Sequence, residues 1–315
     1  MGISQILFSG MNNVKDPADL DAGKGEAVAM VNVEPTGTGF RLRPGSSRVT
    51  EGEFHSGWSA RGDLAYMVRG QEFLAWDGAT MTLLSVVTAG ARMSYAHVNN
   101  LAVASNGHEY LVLEGVSATA ASPAPGPHKV APPPGTSLSY YNARLYIASG
   151  NHLYCTEPFS VDSCDERTMH VAGFSGPVRG IAPVDDGIFV GTQDRIFFLA
   201  GADPFAAGGM QQRLVADYGM VMGTIQSVDG GRATVSGMAG SCAIFATSQG
   251  VCVGGAGGAF KNLSIGSVSY QYGDTGAAAF VERDGLRHYM VSLPTDYCAS
   301  NRYTPPTFDI DSAEL

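Results

Sequence analysis

The chain repeats one short pattern of apolar and polar positions. Two apolar stretches of about five residues flank a turn rich in Gly, Asn or Asp, which is typical of a β-hairpin. The copies are "DLAYMVRGQEFLAWDG" from Asp63, "NLAVASNGHEYLVLEG" from Asn100, "ARLYIASGNHLYCTEP" from Ala143, "DGIFVGTQDRIFFLAG" from Asp186, "CAIFATSQGVCVGGAG" from Cys242 and, more degenerate, "DGLRHYMVSLPTDY" from Asp284. The pattern predicts six related structural units.

The spacing of the copies indicates how the hairpins assemble. Equivalent positions are separated by 37, 44, 43, 56 and 44 residues, close to the period of about 40–45 that is typical of four-stranded propeller blades. A further strand precedes several hairpins ("RMSYAHV", "TSLSYYN", "PVRGIAPV"), and more polar strands follow ("TMTLLSVV", "MQQRLVAD", "AFKNLSIG"). We predict an all-β fold, a single six-bladed β-propeller whose ring is closed by N-terminal strands.

Segments that depart from this period set the predicted domain boundaries. Residues 1–35 are expected to form an N-terminal arm and closing strand, 36–298 the propeller, and 299–315 a C-terminal tail. The Pro-rich stretch 122–135 predicts an extended, exposed connector. The 56-residue separation between the fourth and fifth copies is about ten residues longer than a blade needs. This excess predicts an elaborated loop within 201–240.

Composition and charge narrow the function classes. The 41 glycines are about twice the usual share, as many tight turns require. The net charge of −10 argues against a broad nucleic-acid-binding surface, which would be basic. No apolar run is long enough to span a membrane, and the N-terminus does not resemble a signal peptide, so we expect no membrane anchor and a cytoplasmic site of synthesis.

The sequence contains no group of residues with the spacing expected of a catalytic or metal-binding site. The acidic candidates beside core strands are Asp185, Asp186, Glu282 and Asp284, but Asp is favoured in such turns by local backbone bonding. The seven histidines are spread singly, without a second His at ligand spacing. The five cysteines show no CxxC, and free thiols are favoured over a Cys155–Cys164 disulfide. We predict no catalytic residue, no cofactor and no metal site.

Two segments are candidate interfaces. In "FRLRPGSSRV", Arg41 and Arg43 belong either to a solvated strand or to a strip facing an acidic neighbour. The loop 201–240 is unusually apolar for a free surface. Its candidate interface residues are Phe205, Met210, Tyr218, Met220, Val221 and Met222. The loop either folds back onto the propeller as an outer strand, or part of it reaches a neighbouring subunit or the channel mouth. We predict the second.

Several of these stretches together resemble one protein family. They are the early Asn12 and Asn13, "AVAMVNVEPTGTGFRLRPGSSRV", "YYNARLYIASGNHLYCTEPF" and "DDGIFVGTQDRIFFLAGADPF". This combination is similar to the propeller tail hub or nozzle proteins of short-tailed bacteriophages, including those called packaged DNA stabilisation proteins. The resemblance covers about residues 10–210 and is looser beyond them.

The resemblance implies a structural virion protein of the phage tail, assembled in the host cytoplasm. Such a protein forms a ring, expected to contain six copies, below the head-to-tail adaptor and next to distal tail or fibre proteins. The ring continues the channel for genomic DNA without sequence-specific binding, and it helps to retain and release the genome. The rival hypotheses are a propeller enzyme acting on glycans and a monomeric sugar-binding propeller. The sequence lacks the paired carboxylates that a glycan-cleaving enzyme needs. It also lacks an aromatic residue repeated at one position across blades, which a sugar-binding propeller would need.

Overall fold

The computed structural model describes residues 10–20, 25–27, 30, 33–36, 39–43, 45, 47–233, 235, 237–238, 240–268, 272–283 and 285–293. Within these ranges the regular secondary structure is almost entirely β-strand. Helical structure there is limited to one α-helical turn, α1 (Gly230–Ala233), and two 3-10 turns at Pro17–Asp19 and Ala256–Gly258. The predicted all-β class is therefore confirmed.

Five antiparallel four-stranded sheets, A to E, follow one another along the described chain. Sheet A contains β5 (Phe54–Ser59), β6 (Ala65–Arg69), β7 (Glu72–Trp76) and β8 (Met81–Val86). Sheet B contains β9 (Ser94–Val98), β10 (Leu101–Ser105), β11 (Tyr110–Glu114) and β12 (Ser117–Ala120). Sheet C contains β14 (Ser137–Tyr141), β15 (Arg144–Ser149), β16 (His152–Cys155) and β18 (His170–Gly173). Sheet D contains β19 (Val178–Val184), β20 (Gly187–Thr192), β21 (Ile196–Ala200) and β22 (Gln211–Ala216). Sheet E contains β23 (Gln226–Asp229), β24 (Ser241–Thr247), β25 (Gly250–Gly255) and β26 (Ala259–Asn262).

Four smaller pairs of strands complete the described fold. Sheet F consists of β27 (Ala277–Arg283) and β28 (Leu286–Ser292). Near the N-terminus, β1 (Gly10–Met11) pairs with β2 (Glu26–Ala27), and β3 (Val33–Pro35) pairs with β4 (Phe40–Leu42). A short bridge joins β13 (Lys129–Val130) to β17 (Cys164–Asp165).

The order of strands within each sheet is that of a propeller blade. In all five four-stranded sheets, the strands neighbour each other in chain order, as a simple meander. The predicted hairpins are the second and third strands of these sheets, and the predicted preceding strands are the first. Each first strand lines a central cavity, so it is the innermost of its sheet.

Neighbouring sheets pack face to face through buried apolar clusters. Representative pairs are Phe73 and Leu113 between sheets A and B, Val103 and Leu145 between B and C, Tyr146 and Ile188 between C and D, Phe189 and Phe245 between D and E, and Ile244 and Tyr289 between E and F. Full burial of one such side chain contributes about 1.5–3 kcal/mol. Because both faces of the middle strands are covered, these strands are apolar throughout, as in the fully buried β20.

A glycine permits the closest approach of two sheets. A Cβ atom at Gly254 of β25 would lie 2.6 Å from Cε2 of Phe189 in sheet D. The absence of a side chain therefore lets sheet E rest directly on the Phe189 ring. The Gly-rich stretch around residue 254 therefore contributes to packing between blades.

The predicted closure of the ring was not observed in the described part of the chain. Among the described residues, strands β3 and β4 form a two-stranded sheet with each other, and the Arg283–Glu34 ion pair, at 3.8 Å, connects this sheet to sheet F. The second half of the sixth predicted hairpin, from residue 294 onward, lies outside the described residues, as does the predicted tail, 299–315. Six blades and closure by N-terminal strands therefore stay predictions.

Candidate functional site

The first strands of the sheets surround two cavities, each of about 640 Å³. The residues common to both linings are Trp58, Tyr95, Leu138, Ser139 and Ser227. Sheets A to E contribute to the two cavities, which lie on either side of this shared set. We refer to the first as the upper cavity and to the second as the lower cavity. Together they form the axial space that a propeller encloses at its centre.

The upper cavity is basic. Its lining includes the two cations Arg92 and Arg179, together with His55, and these residues come from three different sheets or the loops before them. The lower cavity contains Asp185 instead, together with His97. The axial space therefore has one cationic end, and the two ends differ in charge.

A bulge in β5 shapes the upper cavity. The register between β5 and β6 shifts between His55 and Trp58, and Ser56 has φ of 56°. A positive φ is uncommon for a residue with a side chain, and bulges often redirect side chains at functional sites. The Oγ atom of Ser56 accepts a hydrogen bond from Met93 N–H at 2.9 Å. The distorted strand is thereby fixed to sheet B.

The bulge also places His55 in an unusual environment. Its Nδ1 lies 2.9 Å from Ser56 Oγ, and its Nε2 is buried without a hydrogen-bond partner. Burial and, secondarily, the charge of Arg92 lower the pKa of His55. His55 is therefore neutral at neutral pH.

Arg92 is a half-buried cation. Burial lowers the pKa of its guanidinium group, and no carboxylate forms an ion pair with it among the described residues. Its hydrogen bond to Gly223 O, at 3.5 Å, is long. Gly223 has φ of 79°, and a Cβ atom there would collide with the guanidinium. A glycine at this position therefore leaves the space that Arg92 occupies.

A stacked aromatic pair separates the two cavities. The rings of Trp58 and Tyr95 are 5.2 Å apart and nearly parallel, and the hydroxyl of Tyr95 donates to Ser56 O at 2.7 Å. Burial raises the pKa of Tyr95, so its hydroxyl stays protonated. The pair gives the cavity a rigid apolar wall.

The acidic candidates serve structural roles in the described structure. Asp186 accepts hydrogen bonds from Gly257 N–H on both carboxylate oxygens, at 2.9 and 2.8 Å, and Asp185 accepts one from Ser241 N–H at 3.1 Å. Both contacts link a turn of sheet D to sheet E. Glu282 forms an ion pair with Arg287 within sheet F, at 3.6 Å, and Asp284 lies outside the described residues.

Histidines and cysteines do not assemble a metal centre within the described chain. No group of three or more His, Cys, Asp or Glu is placed there to hold a metal ion. The rings of His152 and His170 contact each other at 5.0 Å, a proximity that the sequence did not suggest. Cys155 and Cys164 are free and buried.

The predicted basic strip is partly neutralised by its own hairpin. Arg41 lies on β4 and pairs with Glu34 on β3 at 3.0 Å, so its charge is already compensated within the chain. Arg43 follows β4 and is exposed. Both predicted interface arginines are therefore exposed, and Arg41 carries an ion pair within its own hairpin.

Much of the predicted apolar loop folds back onto its own chain. Residues 211–216 form β22, the outermost strand of sheet D. Met220 and Val221 are each 1% exposed, and Tyr218 and Met210 pack against buried clusters. For Met220 and Val221 the expectation of contact with a neighbouring subunit is wrong, because packing within the chain already covers both side chains. For Met210 and Tyr218, which are half-buried, it stays a prediction.

Two residues of this loop have other environments. Met222 is half-buried and lines the upper cavity. Phe205 is 41% exposed, and the guanidinium of Arg144 lies 5.0 Å from the centre of its ring. Phe205 therefore remains available as an interface residue, on a side chain that a cation–π contact orients.

Large aliphatic side chains are exposed near the perimeter of four sheets. They are Leu83 and Val86 on β8, Val116 before β12, Leu214 on β22, and Leu263 and Ile265 after β26. Each lies on an outermost strand or next to one. We call this set the perimeter residues.

No family model matches the sequence, and no curated protein matches it. In the part of the chain that the structure describes, no helix is sufficiently long and apolar to cross a membrane.

Several solved structures show weak overall similarity to this chain. The extracellular domain of a putative hybrid two-component system from B. thetaiotaomicron aligns over 86% of this chain and 35% of its own, with 11% identity and a TM-score of 0.49. This chain thus spans about a third of that protein's length. The WD40 β-propeller domain of Doa1 aligns over 78% of this chain and 85% of its own, with 10% identity and a TM-score of 0.46. The N-terminal domain of Nup159 aligns over 74% of this chain and 71% of its own, with 11% identity and a TM-score of 0.43. None of these similarities bears on function.

Proposed function

We propose that this chain is a structural subunit of the tail of a short-tailed bacteriophage. In this proposal it forms a homo-oligomeric ring of six copies below the head-to-tail adaptor. The ring extends the DNA channel and helps to retain and release the genome. Distal tail or fibre proteins bind on the side away from the adaptor. The subunit itself is a closed six-bladed propeller without catalytic activity.

Closure of the propeller is supported by the lining of the upper cavity. Ala277 and Ala278 of sheet F line the same cavity as the strand Phe54–Ser59 of sheet A. The first and last sheets of the described chain therefore face a common axis. A closed ring of strands is rigid and has few free edges, which suits a conduit.

The perimeter residues are the observation that carries the proposal of assembly. Single exposed aliphatic side chains are ordinary on soluble proteins. Here they recur near the outermost strands of sheets A, B, D and E, where a subunit within a ring would contact its neighbours. Apolar surface at these positions is stabilised when a neighbouring protein covers it.

The resemblance in sequence supplies the identity of the assembly. The stretches that resemble tail hub proteins include the hairpins β15–β16 and β20–β21, which belong to the propeller core. The acidic net charge of −10 is compatible with a channel through which DNA slides without being bound tightly.

Electron microscopy of the purified chain, combined with light scattering, tests the assembly. We expect ring-shaped particles and a mass that is a multiple of the 32.9 kDa subunit. The double variant Leu83→Glu/Val86→Glu should stay folded by circular dichroism but lose rings, because charges would be buried between subunits. Thr82→Glu, at an exposed polar position of the same strand, is the matched control and should assemble normally.

Two results would count against the proposal. A wild-type chain that stays monomeric at every concentration, alone and with phage tails, would contradict a ring-forming role. Rings formed equally well by the double variant would show that this perimeter is not the interface.

A further inference from the structure

The upper cavity contains cationic groups that the chain does not fully compensate. Arg92 has no carboxylate partner among the described residues. Arg179, whose side chain is 12% exposed, pairs at 3.0 Å with Asp274, whose side chain is 79% exposed. A cation removed from water is costly unless it is paired and hydrogen-bonded. The cavity is therefore more favourable when an anion occupies it.

His55 adds a polar atom without a partner to the same cavity. Ser56 Oγ accepts the N–H of Met93, which leaves its own hydrogen free for Nδ1 of His55. A neutral imidazole that accepts at Nδ1 carries its proton on Nε2. Nε2 is buried and has no hydrogen-bond partner in the described structure. Buried polar atoms are normally hydrogen-bonded, so Nε2 is available to a molecule that enters the cavity.

We propose that the upper cavity binds the oxyanion of a small hydroxylated molecule, with Arg92 and Arg179 contacting the oxyanion and His55 Nε2 donating a further hydrogen bond. Carboxylate and phosphate groups both present a pair of oxygen atoms that a guanidinium group binds through two parallel hydrogen bonds. The cavity can therefore accept an oxyanion of either kind, carboxylate or phosphate.

The rest of the lining fits the body of such a molecule. A volume of about 640 Å³ lies within the range of small-molecule sites, about 300–1,000 Å³. The stacked Trp58–Tyr95 pair offers an apolar face on one side. Ser139 and Ser227 add hydroxyl groups that can bond to hydroxyls of the ligand. The site is thus suited to a sugar acid or a sugar phosphate.

Tryptophan fluorescence tests binding directly. The sequence contains two tryptophans, and Trp76→Phe leaves Trp58, which lines the cavity, as the only reporter. We would titrate this variant with inorganic phosphate, with glucuronate and with glucose, holding ionic strength constant with sodium chloride. We expect a saturable change with glucuronate, phosphate or both, and none with glucose.

Substitutions of the arginines test the mode of binding. Arg92→Gln and Arg179→Gln should each weaken binding by about tenfold or more, because each removes a charge-assisted hydrogen bond. Arg61→Gln is the control, since Arg61 is exposed, contacts Asn100 and does not line the cavity. It should bind as tightly as the background variant.

The thermal midpoint of the unsubstituted chain tests binding without relying on variants, which could fail to fold. A ligand that binds the native state raises the thermal midpoint with its concentration, so glucuronate or phosphate should do so and glucose should not. The absence of saturable binding by either anion overturns the proposal. So does equal affinity for glucose, or unchanged affinity in both arginine variants. The readouts concern one subunit, so this result is independent of ring assembly.

Discussion

The hydroxyl of Ser94 accepts a hydrogen bond from the backbone N–H of Leu138 at 2.9 Å, which joins the innermost strand of sheet B to that of sheet C. The next sheet repeats the contact: Ser137 Oγ accepts from Ile181 N–H at 3.2 Å, joining sheet C to sheet D. Both serines begin their strands. A polar side chain thus fixes successive blades at the axis, where apolar clusters alone would not specify register.

A related contact joins sheet A to sheet B, and the series of hydroxyl contacts ends at sheet D. Ser56 supplies the hydroxyl for the first step, to Met93 N–H. In sheet D the corresponding position is Gly180, where a Cβ atom would lie 2.5 Å from Met220 Sδ and from Ile225 Cδ1. Apolar packing therefore replaces the hydroxyl at the junction between sheets D and E.

Removal of one such hydroxyl should destabilise the fold. Ser94→Ala or Ser137→Ala leaves a backbone N–H without its partner, and we expect a loss of about 1–2 kcal/mol in the free energy of unfolding. Urea denaturation followed by circular dichroism measures this. Ser139→Ala, at a half-buried position of the same strand β14, is the control and should change stability by less than about 0.5 kcal/mol. Equal effects at residues 137 and 139 would contradict a specific role for the hydrogen bond.

The sequence predicted the repeated hairpins because their determinants are local. Alternating apolar runs and turns of Gly, Asn or Asp define β10–β11 or β20–β21 without reference to the rest of the chain. The innermost and outer strands were predicted from their position relative to each hairpin. Closure was harder to predict because it depends on pairing between distant segments.

The axial site was missed for the same physical reason. His55, Arg92 and Arg179 lie far apart along the chain, and no spacing rule connects them. Each alone is typical of an ordinary exposed or half-buried residue. A signal did exist for the hydroxyl contacts, since Ser94 and Ser137 occupy equivalent positions in "RMSYAHV" and "TSLSYYN". The apolar loop was misinterpreted because burial within a sheet and burial at an interface favour the same side chains.

The packing of Met220 predicts a large effect of its truncation. Its side chain is 1% exposed and fills the space above Gly180 and Gly191. Met220→Ala should lower the free energy of unfolding by about 2–4 kcal/mol, through lost burial and the cavity left behind. Leu214→Ala, at an exposed position of the preceding strand, should have little effect. Equal denaturation midpoints for the two variants would show that the cavity collapses without cost.

The same packing predicts the outcome of deleting residues 206–222. A dispensable interface loop could be removed to leave a folded monomer. Here the deletion removes the outermost strand β22 and Met220 together, so we expect an unfolded or aggregated product. A folded, monomeric deletion variant with a native β-sheet spectrum would contradict the structural role of this segment.

Glu109 predicts a contribution to stability that depends on pH. Burial alone would raise the pKa of its carboxyl group, but hydrogen bonds from Thr88 and Asn106 outweigh burial and lower that pKa below 4.5. A group with a depressed pKa in the folded state stabilises the fold above its unfolded pKa, and the contribution is lost as pH falls. We expect unfolding midpoints to decrease from about pH 5 downward, and Glu109→Gln to flatten that decrease. Glu53→Gln, at an exposed glutamate, should leave it unchanged.

The buried thiols of Cys155 and Cys164 predict chemical protection in the native state. Burial raises the pKa of Cys155 to about 11 and that of Cys164 to about 12. The thiolate is the reactive form, so at pH 8 both thiols should resist iodoacetamide until the chain unfolds. Peptide-resolved mass spectrometry separates their labelling from that of Cys298, which lies outside the described residues. Labelling in denaturant is the positive control. Rapid modification of both residues in the folded chain would show that sheet C and the neighbouring β13–β17 pair open locally.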